Sequence, residues 1–184
     1  DTFFIVVNAA CIDRDFKTIA ERLPSGVTIV NKSDEIAKID LQGPLSVDIL
    51  EKLLGQNLRD LGYFAFRETE WNGKKLLVSR TGYTGELGYE LYIDAKYTID
   101  LWEALLGDPR VKGFKTTKVV DVEVTDGKLS AAILENAQTG ERTALPVDGI
   151  FVFLGQSPNN EWFKDAIALD DKGYILAGED MSTN

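Results

Sequence analysis

One glycine-rich stretch combines the side chains best suited to holding a flat, polar ligand. Residues 80–90 read RTGYTGELGYE, with three glycines in seven positions. Glycine adopts positive φ without cost, so such a backbone can approach a ligand closely. Glu86 and Glu90 could accept paired hydrogen bonds from an amidine-like edge, such as the 2-amino-pyrimidinone of a pterin, and Tyr83 and Tyr89 could stack on its ring. A tight loop with solvated carboxylates fits the same residues.

Two absences limit the chemistry that the chain can perform. The sequence contains no histidine, which removes Ser-His-Asp and Cys-His nucleophile systems, histidine-ligated metals and the usual general base. Because Cys11 is the only cysteine in the sequence, the chain cannot form an internal disulfide, a Cys-x-x-Cys redox pair, a zinc finger or a cysteine-held iron–sulfur cluster. The composition therefore favours binding and positioning of a ligand over self-contained acid–base catalysis. We assign no catalytic residue and expect no metal site.

Charge and hydropathy narrow the class of partner. The formal net charge is −10, from 20 basic and 30 acidic residues. Binding to nucleic acid needs a basic surface that displaces counterions from phosphate, so we expect no nucleic-acid partner. No apolar run approaches the roughly 20 residues of a membrane-spanning helix, so we expect no membrane association. Because disulfides are rare in the reducing cytoplasm, a chain that has none is consistent with that compartment, and we expect a cytoplasmic location.

The first 55 residues predict an α+β arrangement. Aromatic and β-branched residues indicate strands, and apolar residues at helical spacing indicate helices. The predicted order is strand Asp1–Asn8, helix Asp13–Leu23, strands Val27–Val30 and Ile36–Leu41, and a helix from Pro44 to Gly55. That order suits a ferredoxin-like split βαβ layer with its helices on one face.

Beyond residue 60 the pattern changes to antiparallel β hairpins. Asn72-Gly73 and Asp126-Gly127 are favoured two-residue hairpin turns between alternating segments. The other predicted elements are a strand at Tyr89–Ile93, a helix at Thr98–Leu106, a strand at Arg142–Leu145 and a buried strand at Ile150–Leu154. The best candidate boundary is Gly107–Lys115, which predicts two domains, residues 1–113 and 114–184.

Four motifs, in order over residues 2–106, resemble the glycine cleavage system T-protein family of aminomethyltransferases. They are FFIVVNAACIDRDF at 3–16, LQGP at 41–44, SRTGYTGELGYE at 79–90 and LWEAL at 101–105. The resemblance implies tetrahydrofolate as cofactor and the lipoyl H-protein as partner. In that family the lipoyl arm delivers an aminomethyl group, tetrahydrofolate takes the one-carbon unit and ammonia leaves. The resemblance also places Asn8, Tyr83, Glu86 and Glu90 near the folate.

The sequence departs from that family's pattern at both ends of the match. The family's catalytic aspartate lies in a Gly-Gly-x-x-Asp-Asp segment upstream of the strand that matches Phe3–Val7, and this sequence does not contain it. The Gly-x-Arg-Asp-x-Leu-Arg segment expected after the Trp102 helix and the C-terminal barrel domain are also missing. We therefore expect a catalytically incomplete fragment of an aminomethyltransferase.

The last third of the sequence resembles another family. The segments TGERTALPVDGIFVFLGQSPN at 139–159, KGYI at 172–175 and DMST at 180–183 are similar to the C-terminal part of thioredoxin reductases, over residues 116–184. No Gly-x-Gly-x-x-Gly fingerprint and no Cys-x-x-Cys pair occurs, so we do not expect flavin or NADPH binding. Two alternatives to the folate site stay open. One is a fragment of a flavin- and NADPH-dependent disulfide reductase, and the other is a non-catalytic engineered chimera of two fragments.

Overall fold

Four antiparallel strands form the first sheet of the chain, which a computed structural model describes at residues 1–153, 155 and 157–184. They are β1 (Ile36–Gln42), β2 (Phe66–Trp71), β3 (Lys74–Ser79) and β4 (Gly88–Asp94), in the order β1-β4-β3-β2. The most buried strand, β4, pairs with β1 on one side and with β3 on the other. A strand that is hydrogen-bonded to a neighbour on each side lies inside its sheet, which explains why β4 has the longest run of buried residues.

Two helices cover one face of this sheet and close the core. They are α2 (Ser46–Leu54) and α3 (Thr98–Leu106), and both contact strands of the sheet. Their apolar sides pack on every second residue of the strands, as the period of two in a strand requires. The core includes Ile39, Leu50, Leu76, Val78, Tyr89, Leu91, Ile93 and Leu101. The first helix, α1 (Ile12–Ala20), has no buried residue.

The signals for the two-residue turns and for the C-terminal ends of α2 and α3 are confirmed, whereas the helix predicted at Asp13–Leu23 ends earlier, at Ala20. Asn72 and Gly73 both have positive φ, 50° and 70°, which is the geometry of a type I′ hairpin turn. Gly55 ends α2 in the left-handed conformation, with φ of 67°, and donates its amide to the carbonyl of Glu51. The helix predicted at Thr98–Leu106 has those bounds. The described residues form α-helices and two antiparallel sheets, which confirms the α+β class.

Two strands predicted near the N-terminus are wrong. Asp1–Asn8 and Val27–Val30 belong to no strand of the described sheets, and the split βαβ arrangement predicted for residues 1–55 needed both. Phe3 and Val30 are largely exposed to solvent. Aromatic and β-branched residues favour a strand only where a neighbouring strand can complete its hydrogen bonds, and these segments have none among the described residues.

The second sheet is a three-stranded meander. It consists of β5 (Thr117–Thr125), β6 (Lys128–Asn136) and β7 (Arg142–Pro146), with β6 in the middle. The turn at Asp126-Gly127 has the predicted positive φ at both residues. The buried strand predicted at Ile150–Leu154 is wrong for its described part, because residues 150–153 form no strand and Val152 is 71% exposed. Leu154 lies outside the described residues.

The described residues divide into two compact units, Asp1–Lys115 and Thr116–Asn184. The predicted division fell between residues 113 and 114. All three α-helices lie in the first unit, which also contains the 80–90 stretch. The strands β1, β3 and β4 and the helix α2, which surround this stretch, lie within residues 1–115.

The core of the first unit makes a testable prediction about stability. Leu91 is fully buried at the centre of β4, so Leu91→Ala removes about 2–5 kcal/mol from the free energy of unfolding through lost burial and a residual cavity. The measurement is urea unfolding followed by circular dichroism. Ile99→Ala, at an exposed site on α3, is the control and should change stability by less than about 0.5 kcal/mol. Equal losses in the two variants would contradict the assigned core.

Candidate functional site

The sheet register brings two of the sequence motifs together. Gln42, in the LQGP motif at the end of β1, is the register partner of Gly88 at the start of β4. The Gly43 amide donates to the Leu87 carbonyl at 2.7 Å, and the Ser46 hydroxyl donates to the same carbonyl at 3.2 Å. The turn before α2 therefore holds the end of the 80–90 loop by hydrogen bonds from a backbone and a side-chain donor.

The Gln42 side chain fills the space that two glycines leave inside this loop. Its Nε2 donates to the Thr81 carbonyl at 3.1 Å, and its Oε1 accepts from the Thr84 hydroxyl at 3.4 Å. A Cβ atom added at Gly82 would lie 2.2 Å from Gln42 Oε1, and one at Gly88 would lie 1.8 Å away. These glycines therefore make room for an internal amide, whereas the sequence suggested that they make room for a ligand.

Glu90 is the centre of a charged network on the sheet face opposite the helices. The residue is only 7% exposed. Its Oε1 accepts from Lys38 Nζ at 2.6 Å, and its Oε2 accepts from the hydroxyls of Thr81 and, at 3.0 Å, Tyr92. Lys38 Nζ also lies 3.1 Å from Asp40 Oδ2. One ammonium thus bridges two carboxylates that are directly opposed across β1 and β4.

These contacts shift the pKa values of the network in a consistent direction. Burial raises the pKa of the Glu90 carboxyl, but hydrogen bonds from Lys38, Thr81 and Tyr92 together with the Lys38 charge outweigh burial, and the net pKa lies below the usual 4.5. Burial lowers the pKa of Lys38, but its bonds to Glu90 and Asp40 raise it above 10.5 overall. Burial and the adjacent Glu90 charge raise the pKa of the Tyr92 hydroxyl. The site therefore holds an ionised carboxylate, an ammonium and a neutral phenol.

The residues singled out in the sequence occupy different environments. Tyr83 is 85% exposed on the loop between β3 and β4. The Glu86 side chain is exposed and has no partner among the described residues. Asn8 is exposed in the N-terminal segment. Tyr89 is buried in the core and donates its hydroxyl to the Leu58 carbonyl at 3.4 Å, so the prediction that it stacks on a ligand is wrong.

The sequence analysis missed the partners of Glu90 and an aromatic cluster beside the loop. Lys38 and Tyr92 are register partners across β1 and β4, and only the strand pairing could have revealed this. The rings of Tyr63 and Phe64 lie 4.2 Å apart and both are exposed, and the Phe64 amide donates to the Arg80 carbonyl. Phe64 has a φ of 60°, a conformation that is a real outlier for a bulky side chain. Its sequence context contains no signal for that strain.

Comparison with known proteins identifies the family. Residues 1–120 match the family described as the GCVT N-terminal domain. This match spans the whole first unit, including β1, β4 and the loop between β3 and β4. The chain therefore belongs to the GCVT N-terminal domain family.

Several curated relatives are named aminomethyltransferase. The chain is 42% identical over 106 residues to that of Halothermothrix orenii, covering 58% of this chain and 30% of the relative. It is 44% identical over 104 residues to that of Natranaerobius thermophilus, covering 56% and 28%, and 43% identical over 112 residues to that of a Geobacillus species, covering 60% and 31%. The chain thus spans less than a third of the length of these relatives.

A solved structure of thioredoxin reductase from Streptococcus pyogenes is also similar. It is 25% identical, covers 47% of this chain and 28% of that chain, and has a TM-score of 0.34, which does not establish a shared fold. The chimera of two fragments stays a prediction, as does the cytoplasmic location. None of the helices in the described ranges has the length and apolar content needed to cross a membrane. The same residues contain no group of three or more His, Cys, Asp or Glu able to hold a metal ion.

The packing of Gln42 against Gly88 predicts a strong energetic coupling. Gln42→Ala and Gly88→Ala should each remove about 1 kcal/mol from the free energy of unfolding, because each ends the Gln42 hydrogen bonds. The double variant should lose about as much unfolding free energy as either single variant, whereas the losses at two independent sites would add. Gly62→Ala is the control, since a Cβ there meets only Ala65 Cβ at 4.0 Å. Additive losses in urea unfolding would contradict the coupling.

The ionised Glu90 predicts a pH dependence of stability. Because folding lowers the pKa of Glu90, its contribution is present above pH 4.5 and is lost as the pH falls through the lowered value. The difference in unfolding free energy between the wild type and Glu90→Gln should therefore narrow on acidification below 4.5. Glu86→Gln, at an exposed site, should follow the wild-type curve. If the difference in unfolding free energy between the wild type and Glu90→Gln stayed constant at acid pH, Glu90 would not be held ionised by the fold.

Proposed function

We propose that this chain binds a folate through its pterin ring, on the sheet face that carries Glu90, as part of an aminomethyltransferase of the glycine cleavage system. The observation that carries the proposal is the buried Glu90 carboxylate, held by Lys38, Thr81 and Tyr92, in the same 80–90 stretch that carries the exposed ring of Tyr83. Family membership and the aminomethyltransferase relatives support the same class of ligand. The proposal places Asn8, Tyr83, Glu86 and Glu90 around the folate.

Glu90 has one acceptor position without a partner among the described residues, and we propose that it serves the ligand. A carboxylate offers about four lone-pair sites, and Lys38, Thr81 and Tyr92 occupy three of them. The remaining site is on Oε1, where a pterin N–H can donate without displacing an internal partner. A hydrogen bond to a charged, partly desolvated acceptor is stronger than one in open water. Glu86, exposed on the same loop, offers a second carboxylate to the amino group of the ring.

Exposed aromatic rings beside the loop provide surfaces for the flat part of the ligand. Tyr83, Tyr63 and Phe64 are all largely exposed, and the Phe64 amide is bonded to the Arg80 carbonyl at the start of the loop. Clustered exposed aromatic side chains mark interaction sites, and a strained backbone at Phe64 is a feature found where function constrains geometry. Asn8 lies four residues after Phe4 in the N-terminal segment. The Phe4 ring contacts the Tyr92 ring edge-on, with 5.2 Å between the ring centroids. We therefore assign Asn8 to the rim of the site.

The complete reaction is proposed by analogy with the relatives. Tetrahydrofolate, when bound, supplies the nitrogen atoms that accept the one-carbon unit. The residues of this chain hold and orient its ring: Glu90 by a hydrogen bond, Tyr83 by stacking, and Gln42 by keeping the loop in place. Orientation of this kind can account for a large part of a transfer reaction's rate. The lipoyl H-protein is the proposed donor partner.

The experiment is a binding titration of the chain with folic acid by calorimetry, together with thermal unfolding at saturating ligand. Folic acid at 100 times its dissociation constant should stabilise the protein by about 2.7 kcal/mol. Glu90→Gln should weaken binding about tenfold or more, because a neutral amide replaces a charged acceptor, and Tyr83→Ala should weaken it through lost stacking.

The control for this experiment is Glu70→Gln. Glu70 is an exposed carboxylate at the end of β2, next to the Asn72-Gly73 turn and paired in register with Lys75. Its substitution should leave the affinity unchanged. Wild-type protein that unfolds cooperatively and shows neither heat of binding nor a thermal shift with folic acid would refute the proposed function.

A further inference from the structure

Lys38 has one hydrogen-bond donor without an acceptor of its own among the residues that the structure describes. An ammonium group carries three N–H donors. One is used by Glu90 Oε1 at 2.6 Å and one by the Asp40 carboxylate, whose Oδ1 accepts at 3.3 Å and whose Oδ2 lies 3.1 Å from Nζ. The Lys38 side chain is 35% exposed, so its third donor can reach a molecule outside the protein.

The free donor of Lys38 lies directly beside the free acceptor of Glu90. The two atoms, Nζ and Oε1, are 2.6 Å apart, and counting donors and lone pairs leaves one of each without a partner among the described residues. Together they form a recognition edge with one donor and one acceptor. The complementary edge on a ligand has an acceptor next to a donor, as in a lactam, where the oxygen and nitrogen are separated by about 2.3 Å from standard bond lengths. Two roughly parallel hydrogen bonds can therefore form.

We propose that Lys38 is a specificity-determining residue that selects 4-oxo pteridines over 4-amino pteridines, an inference that rests on the proposed folate site. In a 4-oxo ring the oxygen accepts from Lys38 while the adjacent N–H donates to Glu90. In a neutral 4-amino ring the pattern is reversed, since an amino donor faces the Lys38 donor and a bare ring nitrogen faces the Glu90 acceptor. Unpaired groups of this kind are the usual basis of strong discrimination between close analogues.

The network keeps this edge in a fixed orientation. Asp40 and Glu90 are register partners on β1 and β4, and Lys38 is held between their carboxylates. Thr81 and Tyr92 hold the other oxygen of Glu90, so the carboxylate cannot rotate without losing both bonds. An edge that is ordered before binding loses little freedom when the ligand arrives. Lys38 is therefore positioned by the fold as well as by its charge.

The test compares folic acid with its 4-amino analogue by calorimetric titration of wild type, Lys38→Met and Lys38→Arg. The wild type should bind folic acid at least tenfold more tightly than the 4-amino compound. Lys38→Met should lose about tenfold in affinity for folic acid, or about 1.4 kcal/mol, and bind the 4-amino compound as well as or better than the wild type. Lys38→Arg retains a charged donor and should keep most of the preference.

The control is Lys75→Met, which removes an exposed lysine from β3, four residues from Ser79, the register partner of Glu90. Its preference should equal that of the wild type. A Lys38→Met protein with the wild-type preference would overturn the inference and leave the folate site standing, whereas a wild type that binds neither compound would overturn both. If Lys38→Met does not fold, Asp40→Asn, which removes the second anchor of Lys38, must lower the preference, and an unchanged preference overturns the inference.

Discussion

A carboxylate that is buried in a sheet needs donors, and Glu90 obtains them from three parts of the first unit. Lys38 belongs to β1, Tyr92 to β4 itself, and Thr81 to the loop between β3 and β4. Because each donor depends on its strand or loop being in place, the network forms only when β1 and β4 are paired in their observed register. A shift of one residue would turn Lys38 to the helix side and leave Glu90 without its cation.

The loop beside Glu90 depends on a different constraint, which is steric. The Gln42 amide occupies the space beside Gly82 and Gly88, and its bonds to Thr81 and Thr84 define the path of the backbone. Thr81 takes part in both arrangements, since its carbonyl accepts from Gln42 and its hydroxyl donates to Glu90. The LQGP turn and the glycine-rich stretch are thus one structural unit, although about 40 residues separate them in the sequence.

Local signals in the sequence were reliable wherever a short segment carries its own physical cause. Asn72-Gly73 and Asp126-Gly127 turn because both residues tolerate positive φ, and α3 follows its apolar spacing. The same reasoning was wrong for Asp1–Asn8 and for Ile150–Phe153, which have strand composition but no partner strand among the described residues. Strand formation depends on a neighbour, and composition does not report whether one is present.

The sequence by itself determined the α+β class, the turns, most helices and strands, and the family to which the glycine-rich stretch belongs. It also identified Tyr83 and Glu90 as candidate ligand contacts. The tertiary structure decided which of the candidates face each other: Tyr89 turns into the core, whereas Lys38 and Tyr92 join Glu90. The physical reason is that side chains alternate across a strand and meet only through the register between strands, and a register is a property of two distant segments together.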